Sequence, residues 1–293
     1  MRKLLTVLLL PLFLTGCGSD VIADRVYAQA VAISQQNRLR LSLQRFDEKG
    51  CHTVQADSLA EAFRLEEARA GGRVFVGHTE LICLDGSVTA PTVRKLFYEN
   101  GISPACKLLY APASFLQDKD STPVVHTLRM AERGGLLTET NLATCMEEWL
   151  GAYKTALLPA PGEPIPGLLL LHEDGTCTRL HDAAARGMLW LRRPPEQADV
   201  TVGSQAITLQ DIRLEKHMDG TQPVYTLHVS ARGCDAAARV ALEQQLRRDC
   251  EAAANLVRAQ NADVIGLQTL CEAENCPLPE VLPVVQVCVI VGA

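Results

Sequence analysis

Four prolines fall within the eight residues Pro159-Ala160-Pro161-Gly162-Glu163-Pro164-Ile165-Pro166, and this run limits the architecture more than any other stretch. Each proline removes an amide donor and fixes its own φ, so neither a helix nor a central strand is expected to continue through it. The run is read as a linker, 159–166, between an N-terminal α+β domain over 17–158 and a C-terminal α+β domain over 167–293. With 47% hydrophobic and 21% charged residues, the chain can bury a core on either side of it.

Before the linker, Val26 to Ile33 and Leu39 to Leu43 alternate apolar with polar around Gln35-Gln36-Asn37-Arg38, a hairpin pattern. Ser58 with Glu61 makes a capping box for a helix whose inner face is Leu59, Ala62 and Phe63 and which stops at Gly71-Gly72. Arg73 to Leu84 reads as one strand with His78 in its middle. Thr89 and Pro91 start a second helix with Leu96 and Phe97 inward and Gly101 as its stop. A strand from Cys106 to Tyr110 and helices over 123–132 and 140–156 complete this part, with Leu142, Met146, Trp149, Leu150 and Tyr153 on the inner face of the last.

After the linker, Gly167 to His172 and Cys177 to Leu180 flank Asp174-Gly175, a hairpin turn signal. A short helix from His181 to Leu191 ends before Pro194-Pro195. Val200 to Leu214 and Val224 to Val229 read as strands. The strongest helix follows, capped by Asp235, with Leu242, Leu246, Cys250, Ala253 and Val257 on one face and an expected Glu243–Arg247 pair on the other. Pro283 to Val291 is a closing strand before Gly292-Ala293. The fold class is therefore α+β: two or more mixed or antiparallel sheet domains with flanking helices, and a long helix before the final strand.

The amino terminus carries a targeting signal. Arg2 and Lys3 precede an apolar run from Leu4 to Leu14, and Leu14-Thr15-Gly16-Cys17 has the form of a lipobox. Residues 1–16 read as a lipoprotein signal peptide, and Cys17 as the lipid attachment site, bearing a covalent diacylglycerol. The run is shorter than the roughly 20 apolar residues of a membrane span, so the lipid is the anchor and the body lies on the extracytoplasmic face. Loss of Arg2 and Lys3 takes the formal charge from −6 to −8. That acidity argues against nucleic-acid binding and against a basic lipid-binding patch. One lipidated terminus holds weakly without a second signal, which a membrane-embedded partner could supply.

Ten cysteines follow Cys17, at 51, 83, 106, 145, 177, 234, 250, 271, 276 and 288. None forms CxxC or has zinc-ligand spacing. Cys83, Cys250 and Cys288 fall on apolar faces, where a free thiol acts as a small hydrophobe, and the set is read as mostly reduced. No HExxH, GxSxG, SxxK, P-loop or GxGxxG motif occurs. His172 and His181 flank a turn, and Asp118 and Asp120 sit in a polar loop; none of them makes a catalytic or metal-binding case. No catalytic residue, metal ligand or small-molecule cofactor is assigned, and the chain reads as non-enzymatic.

Three stretches, taken in order, resemble the spore-germination receptor lipoproteins, the C subunits (Ger(x)C-type) of germinant receptors. The first is Ser58-Leu-Ala-Glu-Ala-Phe63 with Val74-Phe-Val-Gly-His78-Thr-Glu-Leu-Ile-Cys83. The second is Gly175 to Arg179 with Leu180-His-Asp-Ala-Ala-Ala-Arg-Gly187-Met-Leu-Trp-Leu191. The third is Ala259-Gln260-Asn-Ala-Asp263-Val-Ile-Gly266-Leu, similar to the family's Gln-x-x-Asp-x-x-Gly signature. The acidic and aromatic residues common in the family just after the lipid-bearing cysteine are reduced to Asp24-Arg25, the first hairpin lacks the family's Gly-x-Asp-like turn, and one of three subdomains is expected to be trimmed. The resemblance implies a palmitate-bearing, non-catalytic accessory on the outer face of the spore inner membrane. Its partners would be the polytopic A- and B-type receptor subunits, and its role spore germination in response to nutrients. The alternative is a solute-binding lipoprotein of a membrane importer, disfavoured by the absence of βαβ alternation. Under either reading His78 is expected to be a strand residue, Gln260 and Asp263 helix caps, Gly266 a turn residue, and Trp149 and Trp190 core.

Overall fold

The computed structural model describes residues 25–46, 48–162, 166–277 and 282–291, which form thirteen strands and eight helices in three sheets. The first sheet begins as the expected hairpin: β1 (Arg25–Gln35) and β2 (Leu39–Arg45) pair antiparallel, and β3 (His52–Ala56) extends the meander. Helix α1 (Leu59–Ala70) starts where Ser58 accepts the Glu61 N–H, and ends at Gly71 in the left-handed region. Only half of the predicted capping box closes as drawn, because the Glu61 carboxylate accepts from the Asp57 N–H, one residue earlier than the cap.

The stretch 73–84 is two strands, β4 (Arg73–Phe75) and β5 (Leu81–Leu84), both parallel to β1. Between them the chain turns, with the Thr79 N–H on Val76 O and the Thr79 hydroxyl on Ala28 O. His78 therefore sits in a turn and not in mid-strand. Helix α2 (Ala90–Asn100) crosses from β5 to β6 (Lys107–Tyr110), which is again parallel. This βαβ crossover was not expected from the sequence; β5 and β6 are four residues each, too short to announce a parallel pair by pattern. Helices α3 (Phe115–Asp118), α4 (Ser121–Arg133) and α5 (Leu142–Leu150) follow. The last is shorter than 140–156, because Gly151 is extended and strand pairing resumes at Thr155.

The second sheet is β7 (Thr155–Ala160), β8 (Gly167–His172) and β9 (Cys177–Leu180), all antiparallel. Pro159 and Ala160 belong to β7 and pair with Leu168 and Gly167. The start of the expected linker is thus strand, and the proline run joins two arms of one hairpin. Pro159 fits because β7 pairs on one side only, so the missing amide leaves no ladder bond unmade.

Helix α6 (Asp182–Leu191) leads to the third sheet: β10 (Gln197–Val202), β11 (Gln205–Asp219), β12 (Gln222–Arg232) and, parallel to β12, β13 (Val284–Val291). The stretch predicted as one strand over 200–214 is divided at Gly203-Ser204 by a tight turn. Helix α7 (Ala236–Ala259) is capped by Asp235, which accepts the Ala238 N–H, and its buried stripe includes Leu242, Leu246, Cys250, Ala253 and Val257. Glu243 pairs with Arg239, one turn N-terminal, in place of Arg247. Helix α8 (Leu267–Ala273) precedes β13.

Two hydrophobic cores result, and each draws on residues from both sides of 159–166. Along β1, Val31 and Ile33 enter one core while Ala30 and Ala32 enter the other; Leu81/Cys83 against Ile82/Leu84 and Leu168/Leu170 against Leu169/Leu171 divide the same way. Period-two alternation on strands covered on both faces produces this partition. Close backbone contacts fix the layers. A Cβ on Gly187 would lie 2.0 Å from Asp249 O, so glycine sets the spacing of α6 on α7. A Cβ on Gly175 in the β8–β9 turn would lie 1.8 Å from Gly86 O, and one on Gly86 2.4 Å from Gly175 O.

Candidate functional site

The Gln260–Gly266 segment, singled out by its motif, lies where elements of all three layers converge. As α7 ends, the Gln260 Oε1 accepts from the Thr178 hydroxyl of β9 at 2.8 Å. The chain then folds back so that both Asp263 carboxylate oxygens accept amides of α8: Leu267 N–H at 2.8 Å and Gln268 N–H at 2.6 Å. Gly266 has φ +75° and provides the turn into α8. Gln268 Oε1 in turn accepts the Ala152 N–H at 2.8 Å, between α5 and β7. Caps on orphan helix amides and side-chain ties to neighbouring backbone are structural work.

Two strands of the third sheet hold the same loop from beneath. Lys216 Nζ of β11 donates to Ile265 O at 2.6 Å and stands 5.1 Å from the centre of the Tyr225 ring of β12, whose hydroxyl donates to the same carbonyl at 3.4 Å. Gly266 leaves room for this ammonium, since a Cβ there would approach Nζ to 3.2 Å. Lys216 makes no ion pair among the described residues. Desolvation dominates its titration and brings it down to about 8, with Asp263 acting in the opposite direction.

Glu148 and Arg192 close the opposite wall. Arg192 Nε donates to Glu148 Oε1 at 2.7 Å, with side chains 5% and 12% exposed, and the Leu157 N–H satisfies Glu148 Oε2 at 2.9 Å. Burial pushes the Glu148 carboxyl above its usual range even beside the guanidinium. Arg192 Nη2 is sealed from water and finds no acceptor. The space between the walls is about 470 Å³, bordered by Glu147, Tyr153, Arg193 and Glu272 as well. No hydroxyl or thiol nucleophile stands beside a free base in it, and Asp263, with both oxygens taken, is committed to capping. The arrangement is a load-sharing joint of backbone ties.

The other residues marked by the sequence lie apart. Cys17 falls outside the described residues, as do 1–16. His78 is exposed beside Tyr27 and Phe75. His172 bonds the Thr155 hydroxyl, whereas His181 stands at the N-cap position of α6, with no cap bond from its side chain, at the far end of the β8–β9 hairpin, so the two histidines do not meet. Asp120 caps α4 by accepting the Thr122 N–H, and Asp118 ends α3. Trp149 and Trp190 are buried; Trp149 Nε1 donates to Leu171 O, and Trp190 Nε1 finds no acceptor. All ten described cysteines are free. Cys83, Cys106, Cys145 and Cys250 are buried with thiols pushed well up by desolvation, and Cys271, next to Cys276, is raised to about 11. Cys288 is exposed, contrary to its expected place on an apolar face, because β13 turns its odd-numbered valines inward. Among the described residues no three His, Cys, Asp or Glu side chains are grouped to hold a metal. Lys216, Glu148 and Arg192 went unmarked in the sequence; Lys216 lies in a run of charged residues that reads as a solvated strand face.

No protein-family model and no curated protein matches the chain in sequence. In structure it is similar to a solved protein described as the crystal structure of the GerBC protein, with a TM-score of 0.51, 11% identity, and coverage of 89% of this chain and 96% of that one. The chain therefore has the GerBC fold, the fold that the resemblance to germinant-receptor C subunits implied. Coverage of 96% of the GerBC chain leaves no subdomain of that structure without a counterpart, which corrects the expected trimming.

Proposed function

We propose that this protein is the lipid-anchored, non-catalytic C-type subunit of a nutrient-germinant receptor, tethered through Cys17 beside polytopic A- and B-type partners. The observation that carries this reading is the likeness to GerBC over nearly the whole of both chains. The lipobox at Leu14-Thr15-Gly16-Cys17 supports it. So does the absence, among the described residues, of any helix long and apolar enough to cross a membrane, which leaves attachment to the lipid or to partners. The motif residues support an accessory role, since Gln260, Asp263 and Gly266 are engaged in holding the layers together.

Metabolic labelling with palmitate and affinity purification from detergent-solubilised spore membranes test it. Label on the wild type and none on Cys17→Ala, together with co-recovery of two polytopic proteins, is the expected result. A labelled protein recovered alone would overturn the receptor assignment, and an unlabelled one the anchor.

A further inference from the structure

The strand end from which the chain runs back toward Cys17 carries a surface that neither core uses. β1 and β4 pair in parallel with Arg25 opposite Arg73, Val26 opposite Val74 and Tyr27 opposite Phe75. Side chains alternate across a strand, so two arginines and two rings share one face while Val26 and Val74 take the other. Val74 packs against a core; Tyr27, Phe75 and Phe46 belong to neither. The rings meet in a row. Tyr27 and Phe75 are edge to face at 5.5 Å, and exposed His78 adds a third ring 5.3 Å from Phe75. Arg25 lies 5.3 Å over the Phe75 ring. On the other side of Tyr27, the Phe46 N–H donates to Tyr27 O at 3.2 Å, and the Phe46 side chain is 50% exposed. The whole chain has only 13 Phe, Tyr and Trp residues, so three on one surface row outside any core require a use.

The tether says what faces this surface. Seven residues lie between Cys17 and Arg25, and the eight Cα-to-Cα steps span at most about 28 Å. With the lipid in the bilayer, this end of the first sheet is held near the headgroups. Aromatic rings and arginines favour the headgroup region, where a ring stays half buried and a guanidinium reaches phosphate. We infer that Phe46, Tyr27, Phe75, His78 and Arg25 form a bilayer-contacting face that seats the body on the membrane to which Cys17 is attached. This rests on the lipid-anchor reading and supplies the second attachment that a single lipidated terminus lacks. The net acidity of the chain opposes an anionic surface at long range; Arg25 counters it locally.

The full-length protein on phosphatidylcholine–phosphatidylglycerol vesicles provides the test. Phe46→Trp should be quenched by brominated lipid, against a background of two buried native tryptophans. The combined variant Arg25→Gln, Phe46→Ser and His78→Ser should transfer between vesicles about tenfold faster or more, the loss expected for one inserted ring. Palmitate labelling read on the same samples separates the two claims. Labelled protein with no quenching and unchanged transfer overturns the seating face and leaves the anchor standing. Unlabelled wild type removes the anchor, and quenching on vesicles then still decides for or against the face. Tryptophan emission at position 46 that shifts on dilution to monomer in vesicle-free solution, with no quenching by brominated lipid on vesicles, would assign the row to a second copy of the chain and overturn the proposal.

Discussion

The layer built on the first sheet and the layer built on the third hold cations drawn away from water in different ways. In the first, the two fully buried ones have carboxylates: Arg45 of β2 meets Glu66 of α1 at 2.7 Å, and Lys107 of β6 meets Glu132 of α4 at 2.6 Å. At the seam, Arg192 meets Glu148. Each of these pairs joins elements distant in sequence. In the third, Lys216 is held by one carbonyl and one ring face, and its ammonium is destabilised enough to lose its proton more readily. A paired buried charge is hard to remove because its partner stays behind, whereas an unpaired one opposes folding while it remains.

The sharpest way to break this comparison is Arg192→Met. It leaves the Glu148 carboxyl buried without its cation, and urea unfolding should show a loss of about 3–5 kcal/mol, partly restored by adding Glu148→Gln. A loss no greater than that of a Lys216 variant would mean that the two charges are handled alike. Asp263→Ala should have a smaller effect, about 1–2 kcal/mol, from uncapping α8; a comparable change on Gln260→Ala would move the weight of the joint to β9. Lys216→Met should alter stability at neutral pH least, by about 1 kcal/mol or less in either direction, as a lost hydrogen bond offsets a lost buried charge.

The signature of Lys216 is its pH dependence. Its folded-state value of about 8 lies below the ordinary lysine value of 10.5. Between them the unfolded chain holds a proton that the folded chain has released, so stability rises with pH through that window. Buried thiols act in the reverse sense above pH 9, because their folded values are raised. The difference between wild type and Lys216→Met isolates the amine. Thermal unfolding from pH 7.5 to 9 should show the wild type gaining on the variant by a few degrees; parallel curves would show that the ammonium is not strained.

Much of the architecture was legible because it rests on local signals. Asp174-Gly175 turns between β8 and β9 as expected, Asp235 caps α7, and the stripe from Leu242 to Val257 is buried. The parallel pairs were not legible. Nothing in Leu81–Leu84 or Lys107–Tyr110 reveals that the first lies beside β1 and the second beside the first, since each pairing is made across a helix and not across a turn. Pro159 misled for a related reason: its cost to a strand depends on which edge is unpaired, a property of the sheet and not of the residue. At the joint, Asp263 and Gly266 could be read as a cap and a turn, but Lys216 could not, because its carbonyl partner lies 49 positions away.

The contact of Gly86 with Gly175 binds the histories of two loops. Each occupies the space in which the other's first side-chain carbon would sit, so a change tolerated by one turn alone is still refused by its neighbour. The hairpin tip of the middle sheet and the exit of β5 can therefore drift only as a couple, and an insertion in either must be answered in the other. A lone substitution there should be among the rarest in any set of working variants, although both positions look like ordinary surface turns.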